Sequence, residues 1–246
     1  MPSKNPKRLH NDAIIEALCE IRFNSKEVPE IIVGRLTDHW SSLETVRLSS
    51  SDIPQPIREQ DPRLRYAATL ELRDPNGEYL IRIGSNAISF HNTGNYLGWD
   101  KLSKKLEETI SGLFDKVPSI SVNRIGFRYT NAISDKHLIS QITALDYEFK
   151  IAGKTVSGPV NLNVLEQCDD NHYTMTRISS LEFVEGQLPA NVNSIIDIDV
   201  YTPPTFSTSS ISEVLKWIND AHTYEGTAFF RLIPDELLDK LVAEWE

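Results

Sequence analysis

Cysteine is scarce in this 246-residue chain: Cys19 and Cys168 are the only two, they lie far apart, and neither belongs to a CxxC pair. Neither a disulfide framework nor a thiolate zinc site is suggested by that spacing, and a reducing compartment fits best. Long apolar runs are missing as well, since no stretch approaches the ~20 residues needed to span a bilayer. The segment after Lys4, Lys7 and Arg8 is interrupted by His10, Asn11, Asp12 and Glu16, so no signal-type apolar core is read there. Positive charge is in deficit, with 25 basic against 35 acidic side chains and a net charge of -10. Long-range repulsion then disfavours nonspecific binding to a phosphate backbone or an anionic membrane. These absences predict a cytoplasmic protein with no membrane contact and no required cofactor or metal, and with nucleic acid disfavoured at the bulk surface.

What is present is the composition of an ordinary globular protein, with 40% hydrophobic residues. From Ile14 to Phe23 the residues alternate, with Ile15, Ala17, Cys19, Ile21 and Phe23 on one side and Ile14, Glu16, Leu18, Glu20 and Arg22 on the other, as a strand with one apolar face requires. Ala, Leu and Glu also favour a helix here, and the terminal Ile-Arg-Phe tilts the reading to the strand. Pro29 to Trp40 has helical spacing. Leu64 to Arg73 and Tyr79 to Gly84 flank Asp74-Pro75-Asn76-Gly77, where Asn-Gly predicts positive φ angles in a tight hairpin. Ala87 to His91 follows as a third antiparallel strand. A helix through Leu102, Leu106, Ile110 and Phe114 ends before Pro118.

Further strands are predicted over 119–130, 147–151, 160–166, 172–178 and 195–201. A helix is predicted from Ile211 to about His222, an extended link or short strand over Thr227 to Ile233, and a closing helix from Pro234. Runs of strands punctuated by a few helices argue an α+β fold with mostly antiparallel sheets, about four helices and two strand-rich lobes. The reading is one compact domain over 1–246, with subdomains at 1–134 and 135–246.

Gly153-Lys154-Thr155 resembles the end of a phosphate loop, but Glu148 stands where that loop needs its first glycine, so a hairpin turn is predicted. Cys168-Asp169-Asp170-Asn171-His172 collects metal-ligand types in what reads as a strand connection, and no metal is assigned. The acidic-lysine pattern of Glu148-Phe149-Lys150 with Asp135 lacks the context of a nuclease centre. The six histidines scatter over different elements. No GxSxG elbow occurs, so no hydrolytic triad is expected.

The charge on strand faces is more informative. Glu16, Glu20 and Arg22 share one side of the first strand, Arg124 and Arg128 one side of another, and Asp197 and Asp199 one side of a third, with Tyr129 and Asn131 facing away from the arginines. If those sides meet they form either a mutually satisfied ion-pair network or a polar site in which arginine grips an anion by its fixed fork of donors. Tyr96, Gly98 and Trp99 form an aromatic loop before a helix, either anchoring a partner or capping the core.

Four segments, Asn11-Asp12-Ala13-Ile14-Ile15-Glu16-Ala17 with Glu20-Ile21-Arg22-Phe23, Tyr96-Leu97-Gly98-Trp99, Arg124 to Asn131, and Ile196-Asp197-Ile198-Asp199-Val200, carry a resemblance over nearly the whole chain. The sequence resembles a sporadically distributed prokaryotic family of unknown function that shares an N-A-P-hydrophobic-hydrophobic-E-A opening and an R-hydrophobic-G-hydrophobic-R-Y-hydrophobic-N segment. It departs at Asp12, where the family has proline, and at Thr130, where it has an aliphatic residue. The resemblance implies an accessory or defence-type locus and supplies no catalytic residues. Two functions fit these residues. One is a non-enzymatic interaction or accessory protein, a sensor or antitoxin-like subunit with a protein partner. The other is an enzyme or sensor for a phosphorylated or nucleotide ligand at the arginine-carboxylate face.

Overall fold

A computed structural model describes residues 6, 8–134, 150–155, 159–184, 192–234, 238 and 243–244. The predicted strand over 147–149, the Glu148/Asp135 pattern and most of the closing helix lie outside the described residues. The chain is α+β. The elements in order are β1 (Arg8–Leu9), β2 (Ile14–Asn24), α1 (Pro29–His39), β3 (Glu44–Arg47), a 3-10 turn (Ser49–Asp52), α2 (Gln55–Gln60), β4 (Leu70–Arg73), β5 (Leu80–Ile83), β6 (Ala87–Asn92), α3 (Trp99–Lys116) and β7 (Ser121–Ser134). Then come β8 (Lys150–Ile151), β9 (Lys154–Thr155), β10 (Asn161–Gln167), β11 (Tyr173–Ser180), a 3-10 turn (Leu181–Phe183), β12 (Val192–Tyr201), α4 (Ile211–Leu232) and β13 (Ala243–Glu244). One nine-stranded sheet has the order β10-β11-β12-β7-β2-β6-β5-β4-β3. Its described registers are antiparallel. Among the described residues no helix is long and apolar enough to cross a membrane.

Contacts divide the chain into two compact units, one of Met1–Ile15, Arg128–Val200 and Ala221–Glu246, the other of Glu16–Phe127 and Tyr201–Asp220. In the second unit the alternation of β2 sends Ala17, Cys19, Ile21 and Phe23 inward, all buried. The pairing registers align Cys19 with Phe90, Phe90 with Ile81, and Ile81 with Leu72, a buried apolar row across four strands. Helices α1 and α3 pack on each other and against β5 and β6. The amphipathic α3 buries Leu102, Leu106, Ile110 and Leu113. Each such side chain contributes roughly 1.5 to 3 kcal/mol by leaving water, so this face fixes the register of the opposite one.

The hairpin at Asp74 differs from expectation in its turn. Gly77 N–H donates to Asp74 O at 2.9 Å, and Gly77 alone of the Asn-Gly pair has positive φ, at 72°. Pro75 fixes the first central φ and the Asp74 carboxylate accepts the Asn76 N–H at 3.0 Å, which makes a four-residue turn closed by a left-handed glycine. The preceding strand starts at Leu70 rather than Leu64, because the amides of Leu64 and Arg65 donate back to Asp61 O and form turns after Pro62. The turn at Gly153 is a hairpin, with Ala152 and Gly153 at φ 50° and 78° between β8 and β9.

In the first unit Ala13, Ile133, Ile196, Ile198, Phe229, Ile233 and Leu238 form a core cluster. Thr227–Leu232 is helical, not extended as predicted. The β-forming Thr-Ala-Phe-Phe run is overridden because the helix delivers Phe229 to this cluster. Thr227 Oγ1 also donates back to Thr223 O at 2.8 Å.

Candidate functional site

The registers of the second unit also align its polar residues. Glu20 stands opposite Ser89, Ser89 opposite Arg82, and Arg82 opposite Glu71, one row across β2, β6, β5 and β4 on the face away from the buried apolar row. Glu71 is only 4% exposed and accepts Arg82 Nε at 2.8 Å and Arg73 Nε at 2.7 Å. Burial pushes its carboxyl up, but the two arginines outweigh that and hold it below its ordinary value. Glu20 accepts Arg22 Nε at 2.7 Å and Arg124 Nη1 at 2.9 Å through the same oxygen. An E-x-R triplet thus recurs, Glu20-Ile21-Arg22 on β2 and Glu71-Leu72-Arg73 on β4, each with a second arginine from another strand.

Arg22, Arg73 and Arg82 each hold their glutamate through Nε alone. Both Nη groups of each are left without a hydrogen-bond partner among the described residues. The three side chains stay 30%, 51% and 42% exposed. Of the three, Arg22 lies against an aromatic ring, its guanidinium 4.3 Å from the Tyr66 ring centre; Arg65 lies 5.6 Å from the same ring, and Arg124 lies 5.6 Å from that of Tyr201. Arg124 folds back over Gly126, where a Cβ would sit 2.9 Å from its Nη1. The glycine leaves the guanidinium that path to Glu20.

The same face carries a second chain of hydrogen bonds. Buried His91 meets the Glu16 carboxylate through Nδ1 at 2.9 Å and the Ser89 hydroxyl through Nε2 at 2.8 Å. Neighbouring Cys19 points the other way, and burial followed by the Glu20 charge raises its thiol far above the ordinary range, so it is no nucleophile.

In the first unit Asp197, its side chain 6% exposed, accepts Arg128 Nε at 2.5 Å and Arg177 Nη1 at 3.0 Å, and Arg177 Nε donates to Asn163 at 2.9 Å. Asp199 is half-buried on the same strand. Tyr129 faces away from these pairs and is buried, and Asn131 donates to Ile196 O at 3.4 Å. Asp169 accepts from Asn171 and pairs with His172 within its own connection, and it accepts the Tyr224 hydroxyl from α4. Burial would raise the Asp169 carboxyl, yet donors from His172, Asn171 and Tyr224 bring it down to about 2. Among the described residues no group of three or more acidic, histidine or cysteine side chains could hold a metal. Tyr96 and Trp99 are half-buried, and Trp99 opens α3 with its ring edge-on to buried Phe127, centres 5.8 Å apart.

The structure therefore places the predicted residues in two described groups, Glu16, Glu20, Arg22 and Arg124 in one unit and Arg128, Asp197 and Asp199 in the other. Sequence reasoning missed Glu71, Arg73, Arg82, Ser89, His91, Tyr66 and Arg177. The hairpin at Asp74 held the signal for one pair, since its pairing sets Glu71 opposite Arg82. Comparison with models of known protein families and with curated proteins gives no match to this chain.

Proposed function

We propose that the polar face of β2, β6, β5 and β4 binds a phosphorylated or nucleotide-type ligand, as an enzyme or sensor. The observation that carries this reading is the common pairing of Arg22, Arg73 and Arg82 through Nε, which leaves three planar forks on one sheet face of a strongly acidic protein. A guanidinium with both Nη groups unused is suited to bidentate contact with phosphate oxygens. Tyr66, already stacked on Arg22, supplies a flat surface beside the charge for a base or another planar group. Thermal-shift measurement with inorganic phosphate, pyrophosphate, ADP and adenosine tests it. Stabilisation by pyrophosphate and ADP but not by adenosine supports the reading, and no shift with any of them at millimolar concentration rejects it.

A second reading, a cytoplasmic interaction or accessory protein of the defence type, is favoured by β10. This strand ends the sheet order and exposes the adjacent apolar residues Val164 and Leu165 on its opposite faces. Purification from the source cell followed by mass spectrometry of co-eluting chains tests it. A stoichiometric partner supports it and a lone chain counts against it.

A further inference from the structure

We infer that Glu16, His91 and Ser89 form a proton relay that makes the Ser89 hydroxyl a nucleophile toward carboxylic esters. A carboxylate only accepts hydrogen bonds. Glu16 at 2.9 Å therefore fixes the His91 proton on Nδ1 and leaves Nε2 as the acceptor for the Ser89 O–H at 2.8 Å. Acid to Nδ1 and serine to Nε2 is the polarity that activates a serine, and it is recognised by geometry rather than by sequence order. The three residues lie on two paired strands whose opposite face is buried core, so the relay sits on a rigid support. His91 is buried while Ser89 is half-buried, which keeps the base dry and leaves the hydroxyl reachable.

The step balances with water as its only co-reactant. Ser89 Oγ attacks the acyl carbon as its proton moves to His91 Nε2. The carbon–alkoxide bond then breaks, and His91 returns that proton to the leaving alcohol. Water attacks the acyl-serine, again giving its proton to His91, and the carboxylic acid leaves as Ser89 regains its hydrogen. Strand β6 is paired on both sides, so its amides are occupied by the ladder and cannot serve as an oxyanion hole. The residue opposite Ser89 on β5 is Arg82; Glu71 on β4 holds its guanidinium through Nε, and its Nη groups have no hydrogen-bond partner among the described residues. The inferred reaction requires one of them to reach the acyl oxygen and take its developing negative charge. Ser89 and His91 are the catalytic residues, and Glu16 is a positioning residue.

The inference goes beyond the anion-binding reading and needs none of the ligands proposed there. Its test is a fluorophosphonate probe on the full chain, read by intact mass and peptide mapping. Expected is one adduct, at Ser89 Oγ, formed with loss of fluoride and the serine proton, absent in Ser89→Ala. Glu16→Gln, at a partly exposed position, should keep the fold and slow labelling about tenfold or more by losing the fixed tautomer. An unmodified Ser89 under conditions that fully modify a serine hydrolase control overturns the inference, and so does a labelling rate unchanged in Glu16→Gln. Peptide mapping of the wild-type chain gives the answer even if Ser89→Ala does not fold.

Discussion

Glu71 and Arg82 face each other across β4 and β5, carboxylate to Nε at 2.8 Å, with the acid almost wholly buried and the arginine 42% exposed. The pair anchors the polar row, and its consequences can be measured. Because the arginines hold the Glu71 carboxyl below its ordinary value, the stability it contributes is present above the unfolded-state value of about 4.5 and is lost as pH falls through the lower folded value. Glu71→Gln should flatten that part of the acid limb of the stability curve. Glu71→Ala should cost about 1 to 3 kcal/mol in chemical denaturation, because Arg73 and Arg82 lose their shared acceptor but stay partly hydrated.

Glu225 gives the opposite sign. Burial raises its carboxyl to about 8, so the folded state holds a proton that the unfolded state releases, and stability falls as pH rises from about 4.5 to about 8. Glu225→Gln should raise Tm at pH 8 more than at pH 5. An equal change at both pH values would contradict the buried neutral acid.

Asp197 has two arginines, which makes single truncations mild. Arg128→Ala should destabilise by about 1 to 2 kcal/mol, the scale of one lost charged hydrogen bond, because Arg177 still pairs with the buried carboxylate. The double variant Arg128→Ala/Arg177→Ala should cost more than the sum of the singles, about 3 to 5 kcal/mol, since it leaves an uncompensated buried charge. Additive losses in a double-mutant cycle would show that the two do not share Asp197.

Gly126→Ala should act on Arg124 alone. A Cβ 2.9 Å from Nη1 meets the far end of a flexible side chain. The guanidinium therefore shifts and folding loses little, within about 1 kcal/mol. Ligand affinity at the face should change with the chain still folded, which titration of pyrophosphate into this variant checks.

Much of this frame is legible in the sequence because short-range patterns impose it. The alternation of β2 sorted Glu16, Glu20 and Arg22 from Ala17, Cys19 and Ile21, and the Asp74 turn announced β4 and β5. Helix α2, strand β3 and the late turns of α4 were hidden, since short elements and β-prone residues in a helix take their state from packing rather than propensity. The site was harder still. His91 meets Glu16 across 75 positions of chain, and the use of Nε rather than Nη by Arg22, Arg73 and Arg82 is a matter of side-chain geometry that no spacing encodes.

The measurement that bears most directly on the proposed anion-binding role of the β2, β6, β5 and β4 face is calorimetric titration of ADP and of adenosine into the wild-type chain and into Arg22→Gln/Arg82→Gln, with folding of both confirmed by circular dichroism. The account predicts that ADP binds the wild type, that affinity weakens as salt rises, and that the double variant loses it at least about tenfold while adenosine binds neither. Equal ADP binding by both chains, or none by the wild type, would contradict it.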